Sequence, residues 1–223
     1  PQPTTTPAPT TTTPTPTTTT VDARGTVSAL AWEHFGLLNT LRKSGFTCPG
    51  GVVYQPNATP LRFDCRLWMA SQLHSQDMAD NNYFSHTSLN GDSPWDRARA
   101  QGTSANAENI AAGRSSAQRT LDQWSASDGH CKNMMNPNLE VVGVGYAYGP
   151  ESTYKHYWTQ MFRQSGDVET WCYPSGSMMA QANSDALGAM EAEEVVGEAW
   201  SADADHQPAA SLRGAPPKTG ANK

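Results

Sequence analysis

The 223-residue sequence is poor in apolar residues, and it has no apolar run of about 18 residues that could cross a membrane. Hydrophobic residues make up 37 % of the chain, and the mean hydropathy is −0.61. The chain also lacks an excess of basic residues, because 15 Lys and Arg stand against 21 Asp and Glu, for a formal charge of −6. An acidic surface repels phosphate backbones. We therefore expect neither a membrane span nor nucleic acid binding.

The sequence lacks the short motifs of several large enzyme classes. It contains no Gly-x-Ser-x-Gly nucleophile elbow, no Walker phosphate loop and no His-Glu-x-x-His zinc motif. These absences favour a protein that is not an enzyme.

The two ends of the chain hold few large apolar side chains. Residues 1–21 form a tract with twelve Thr and six Pro among the first twenty, which cannot bury enough surface to offset the entropy of ordering it. Dense Thr beside Pro is typical of mucin-like stalks, so we expect O-linked sugars in the Thr4–Thr20 region or an unmodified spacer. Residues 175–223, rich in Ala, Ser, Gly and acidic residues, are predicted to be a disordered tail.

The remaining residues, 22–174, suit one domain. Apolar spacing and capping residues predict helices over 27–43, from Asp64 to about residue 81, from Ser93 onwards, and over 117–126. The inner face of the second helix is predicted to carry Leu67, Ala70, Leu73 and Met78. Alternating patterns predict strands over 141–148 and 154–163. Helices followed by strands indicate an α+β domain with three layers.

Four cysteines, Cys48, Cys65, Cys131 and Cys172, are even in number and contain no Cys-x-x-Cys pair. Together with the Thr/Pro tract, they favour a secreted protein with two disulfides. Spacing alone leaves three pairings open. Asn57 begins an N-glycosylation sequon, but Pro60 directly after the sequon disfavours its use.

Several polar residues are candidates for chemistry: His86, Glu108, His130, His156 and Tyr157. Each also has a structural explanation, since a histidine in a helix-packed domain is more often a hydrogen-bonded interior residue than a ligand. Glu108 lies among apolar residues and could simply pair with a cation or a backbone amide.

Taken in order, the segments around these residues resemble the CAP superfamily, which groups cysteine-rich secretory, antigen 5 and plant pathogenesis-related proteins, and in particular its SCP-like microbial branch. The resemblance covers about residues 30–165. It is carried by residues 61–64 and 74–78, and by the motifs Asn82-Tyr83-Phe84-Ser85-His86, Ala107-Glu108-Asn109-Ile110-Ala111, Gly129-His130-Cys131, Val142-Gly143-Val144-Gly145-Tyr146 and Tyr157-Trp158-Thr159-Gln160. It implies an α-β-α sandwich of the CAP type and an extracellular protein.

The resemblance also implies a surface cleft with two His and two Glu, which in some family members holds a divalent metal. His86 matches the first His and Glu108 the first Glu, whereas Ser127 stands where the second Glu is expected and Tyr157 where the second His is expected. His86 and Glu108 are thus half of a metal site, and any zinc would bind weakly. His130 is a further candidate for this cleft. The alternative is that His86 and Glu108 only brace loops.

The cysteine positions of microbial relatives imply the pairing Cys48–Cys131, which leaves Cys65–Cys172. The resemblance also leaves three functions open. The first is a secreted module that binds a lipid or sterol, in which Phe46, Val52, Val53 and Tyr54 either form an apolar rim or pack inward. The second is a stalked module that binds a cell-wall glycan or a surface protein. The third, with the least support, is a metal-dependent hydrolase.

Overall fold

The computed structural model describes residues 25–174. The predicted stalk at 1–21 and the predicted tail at 175–223 lie outside the described residues. Within the described part, five helices are α1 (Ala29–Ser44), α2 (Cys65–Asp80), α3 (Pro94–Ala100), α4 (Ala117–Ser125) and α5 (Asp128–Met135).

Local capping explains where the predicted helices begin. The Asp64 side chain accepts a hydrogen bond from the Arg66 amide at the start of α2. At α3, Ser93 and Asp96 form a capping box, and Pro94 occupies the first turn. The sequence therefore located the starts of both helices correctly.

Six strands complete the described fold: β1 (Phe46–Thr47), β2 (Val53–Tyr54), β3 (Arg62–Phe63), β4 (Ala107–Ala112), β5 (Val141–Tyr148) and β6 (His156–Arg163). β1 and β2 form a small antiparallel pair. The main sheet has the strand order β3-β5-β6-β4, in which β3 is parallel to β5 and the other neighbours are antiparallel.

Helix α2 covers one face of the main sheet at very short range. A Cβ atom on Gly143 would lie 2.1 Å from the Trp68 amide nitrogen, and one on Gly145 would lie 2.3 Å from the Gln72 amide nitrogen. The Ser75 hydroxyl bonds to the Thr159 hydroxyl of β6 at 2.9 Å. The two glycines of β5 therefore allow backbone to pack on backbone.

The opposite face of the sheet packs against α1 and α4. His34 of α1 contacts Trp124 of α4 edge to face, and its Nε2 accepts a hydrogen bond from Gln160 of β6 at 2.9 Å. Side chains alternate along β6, so Gln160 faces α1 while Thr159 faces α2. Helices on both faces of one sheet give the expected α+β sandwich, and this prediction is confirmed.

The structure differs from the sequence predictions at Leu73 and in five elements that were not predicted: α5, β1, β2, β3 and β4. Leu73 is 52 % exposed and does not face the sheet, because Ala70 and Ser71 occupy the buried side of that turn of α2. Helix α5 and strand β4 were not predicted, because neither segment has an apolar period that distinguishes it from a loop. Both elements contribute to the candidate site.

Two disulfides join Cys48 to Cys131 and Cys65 to Cys172, the pairing that the resemblance implies. The first ties the segment of β1 and β2 to α5, and the second ties the segment after β6 to the start of α2. The longest described helices have 16 residues, and no described helix has the length and apolarity to cross a membrane.

Candidate functional site

Glu108 is the centre of the candidate site, and both of its carboxylate oxygens have a partner. His86 Nδ1 lies 2.7 Å from Oε1, and Arg97 Nη2 lies 2.5 Å from Oε2. The Glu108 side chain is 2 % exposed, whereas the His86 side chain is 44 % exposed. The structure thus brings His86 and Glu108 together, and it adds a buried cation to the pair.

Arg97 also fixes the loop that carries His86. Its Nη1 donates to the carbonyl oxygens of His86 and Asp92 and to the Ser88 hydroxyl, at 3.0–3.1 Å. His74 of α2 holds the same loop through its Nε2, 2.9 Å from the Ser85 carbonyl oxygen. Burial lowers the pKa of His74 to about 4, and the Arg97 charge acts in the same direction, so the ring is neutral at pH 7.

Helix α5 closes the other side of the site. The Asn133 amide donates to Asn109 Oδ1 at 2.8 Å, and Asn109 donates to the His130 carbonyl oxygen at 3.2 Å. Burial lowers the pKa of the His130 imidazole to about 4, with a smaller contribution in the same direction from His86. A role for His130 as a second histidine of the site stays a prediction.

The remaining candidates, Tyr157, Ser127 and His156, form no hydrogen bond with His86 or Glu108 within the described residues. Tyr157 is completely buried and pairs with Ala112 of β4, four residues along that strand from Glu108. A role for Tyr157 in lining the cleft stays a prediction. Ser127 precedes α5, but its side chain makes no capping hydrogen bond. His156 bonds to the Tyr146 hydroxyl at 2.8 Å, on the face opposite Tyr157.

The donor atoms do not fit a zinc centre. Zinc sites use three or four protein ligands, and no group of three His, Cys, Asp or Glu suitable for a metal occurs within residues 25–174. A metal at Glu108 would also have to displace Arg97 or His86. Weak zinc binding at His86 and Glu108 therefore stays a prediction, to be tested below.

The sequence pointed to His86 and Glu108 through the resemblance but missed Arg97. Arg97 lies on the short helix α3, which also contains Arg99. Arg97 is buried, whereas Arg99 is exposed. No local pattern distinguishes the buried arginine from the exposed one. Only Arg97 is buried, because folding brings it to the Glu108 carboxylate.

A surface groove of about 550 Å³ lies outside this polar site, between segment 53–60 and segment 135–140. Seven of its twelve lining residues are apolar or aromatic: Val53, Tyr54, Pro56, Pro60, Met135, Pro137 and Leu139. The other five, Arg42, Gln55, Asn57, Thr59 and Glu140, are polar or charged. Of the loop residues considered from sequence, Phe46 and Tyr54 pack against the Cys48–Cys131 pair, whereas Val52 and Val53 are exposed. The loop therefore packs inward and forms an apolar rim at the same time.

The strand order, the covering helices and the His86–Glu108 pair together define a CAP-type domain. Residues 35–162, more than half of the chain, match the family described as "Cysteine-rich secretory protein family" (CAP), and the chain belongs to this family.

Individual relatives are uncharacterized or only distantly similar. The uncharacterized protein YkwD of Bacillus subtilis is 39 % identical over 105 residues, which cover 46 % of this chain and 39 % of YkwD. The uncharacterized membrane protein YlbC of the same organism is 34 % identical over 91 residues, or 40 % of this chain and 24 % of YlbC. The chain thus spans well under half the length of these relatives.

A solved extracellular SCP-domain protein from Bacillus anthracis has a TM-score of 0.46 and 31 % sequence identity. The match covers 59 % of this chain and 39 % of that protein.

Proposed function

We propose that this CAP domain acts outside the cell as a non-enzymatic binding module, and that it takes a lipid or sterol in the groove between segments 53–60 and 135–140. The observation that carries the proposal is the apolar lining of that groove. Its volume of about 550 Å³ is within the range of small-molecule sites.

The floor of the groove supports this proposal because it is rigid. Arg42 is 2 % exposed and donates hydrogen bonds to the carbonyl oxygens of Met134, Asn136 and Leu139. These bonds fix segment 134–139 against α1. A fixed wall reduces the ordering cost of binding.

Val53 forms the exposed part of the rim, with 60 % of its surface accessible. Removing such apolar surface from water by contact with a ligand contributes favourably to binding, at about 25 cal/mol for each Å² buried. Apolar ligands are therefore favoured over strongly hydrated ones at this rim.

The His86–Glu108 site offers less support for catalysis. A serine hydrolase needs a hydroxyl held by the histidine, but the nearby Ser85 hydroxyl accepts from the Thr87 amide instead. Glu108 is held by Arg97 and His86, so it serves here as a brace between α3, β4 and the loop after α2. The Ser88 hydroxyl lies 3.3 Å from His74 Nδ1 but also accepts from Arg97 Nη1 at 3.1 Å. The metal-dependent hydrolase stays the alternative with the least support.

Two features support an extracellular location: both disulfides and the Thr/Pro-rich stretch at 1–21. O-linked sugars at Thr4–Thr20 and a glycan at Asn57 stay predictions. Asn57 lines the groove, so a glycan there would reduce access to it. A cell-wall glycan or surface protein is the alternative partner.

The proposal is tested by thermal unfolding of the full chain with palmitate, cholesterol, zinc or soluble cell-wall polysaccharide. A ligand that binds only the folded state raises the unfolding midpoint, by about 2.7 kcal/mol of stabilisation at a hundredfold excess over its Kd. We expect a shift with palmitate or cholesterol. A shift with polysaccharide alone would favour the surface-binding module.

Substitutions at neighbouring residues provide the control. Val53→Asp places a charge at the groove rim and should weaken lipid binding at least about tenfold. Val52→Asp adds the same charge to the neighbouring exposed valine, which does not line the groove, and should leave binding unchanged. Equal losses in both variants would contradict the proposed site. A zinc shift abolished by His86→Ala would instead restore the metal interpretation.

A further inference from the structure

A second groove, of about 420 Å³, lies between α2 and α3 beneath the loop of residues 88–92. It is separate from the lipid groove proposed above, with which it shares no lining residue. We infer that it binds a peptide segment of a partner protein, in which a basic side chain stands next to an aliphatic one.

Four of the twelve residues that line this groove are apolar, and two of the four have strongly exposed side chains. Leu73 of α2 and Leu89 of the loop are 52 % and 66 % exposed, and both line the groove together with Ala70 and Ala100. Exposed apolar residues that lie together around a concave surface indicate an interaction site more than scattered ones do. An aliphatic side chain of the partner would cover both leucines.

The charges around the groove favour a ligand with a cationic group. Asp77 and Asp92 line it, and its one lining arginine, Arg97, is already neutralised by Glu108 at 2.5 Å. The lining histidine, His74, is neutral because burial lowers its pKa to about 4. No lysine lines this groove. The balance of charge is therefore negative, which favours a lysine or arginine side chain.

Hydrogen-bonding groups at the groove match a peptide backbone better than a simple amine. Gln101 lines the groove, and its side-chain amide, which both donates and accepts, has no hydrogen bond with the rest of the described chain. A peptide backbone offers this amide both a donor and an acceptor, whereas an ammonium group offers only donors.

The inference is tested by adding short capped peptides to the ¹⁵N-labelled full chain and following backbone amide resonances. The probe acetyl-Gly-Leu-Lys-Gly-amide should shift the resonances of Leu73, Leu89 and Gln101 in a saturable way. Replacing Lys by Glu or Leu by Ser in the probe should weaken binding at least about tenfold. Raising the salt concentration should also weaken it, because salt screens exposed charges.

Leu73→Gln should lower the affinity for the Leu-Lys probe about tenfold. Tyr148→Gln alters a residue with the same exposure, 51 %, on a different part of the surface and should have no effect. Absence of saturable shifts, equal shifts with the Glu probe, or equal losses in both variants would overturn the inference. Binding of hexylamine with no binding of the peptide would overturn it too, in favour of a small cationic ligand.

Discussion

Three histidines, His34, His74 and His130, are kept neutral by burial, which lowers the pKa of each to about 4. His34 shows how the interior accommodates the neutral ring. Its Nδ1 donates to the Ala117 carbonyl oxygen at 3.3 Å, and its Nε2 accepts from Gln160 at 2.9 Å. A second proton on Nε2 would face a donor, so protonation disrupts this arrangement.

We therefore predict that the domain loses stability between pH 6.5 and pH 4. In this range the unfolded chain binds protons at histidines whose ordinary pKa is near 6.5, while the folded chain does not. The loss is absent above pH 6.5 and complete below about pH 4, and it amounts to at most about 3 kcal/mol for His34. Urea unfolding at pH 7, 5.5 and 4 measures it.

The control for this prediction is His34→Gln, which removes the titrating ring. The variant should be less stable than the original chain at pH 7, but its stability should fall less between pH 6.5 and pH 4. An unchanged pH dependence in the variant would contradict the role of His34.

At the scale of secondary-structure elements, the contact of α2 with β5 depends on two glycines. A Cβ atom on Gly143 would come within 2.2 Å of the main chain at Leu67 and Trp68. Main-chain atoms inside a helix cannot rotate away as a side chain can, so the two elements would have to separate. The alternating pattern of β5 predicted the strand, but not why positions 143 and 145 are glycine.

We predict that Gly143→Ala destabilises the domain by about 3 kcal/mol or more, because it overpacks this contact. Gly129→Ala is the matched control. Gly129 lies in α5 with no atom within 4 Å of an added Cβ, so alanine there should be neutral or stabilise by up to about 1 kcal/mol. Chemical unfolding of both variants measures the difference. Equal stability of the two variants would show that the sheet can shift to accept the methyl group.

At the scale of the whole molecule, two disulfides close loops of the chain over sequence separations of 83 and 107 residues. Cys48–Cys131 connects the loop that lines the lipid groove to α5, and the Gly50 amide adds a hydrogen bond to Asp128 at 2.9 Å. Cys65–Cys172 lies at the start of α2, away from that groove. We therefore expect the two disulfides to stabilise the domain by similar amounts, but only Cys48–Cys131 to affect lipid binding.

Removing either pair by substitution with alanine should lower the free energy of unfolding by about 4 kcal/mol, from the chain entropy that each bond removes. Only the variant lacking Cys48 and Cys131 should also lose lipid affinity, because its groove loop is released. Thermal unfolding and lipid titration of both double variants test this. Loss of lipid affinity in the Cys65 and Cys172 variant alone would place the ligand elsewhere.

Features that depend on neighbours in the chain could be predicted from the sequence. Asp64, Ser93 and Asp96 cap helices within three residues, so local chemistry was enough to locate the starts of α2 and α3. The alternation of side chains between the two faces of β5 and β6 depends only on the two-residue repeat of a β-strand. The order of the motifs was sufficient to indicate the CAP family, and through it His86 and Glu108.

The tertiary structure alone decided what depends on residues far apart in the chain. Arg97 of α3 became the partner of Glu108 of β4, and the register of β4 and β6 placed Tyr157 opposite Ala112, four residues along β4 from Glu108. Leu73 became exposed because Ala70 and Ser71 occupy the buried side of that turn of α2. Such contacts depend on the path of the whole chain, which no local pattern records.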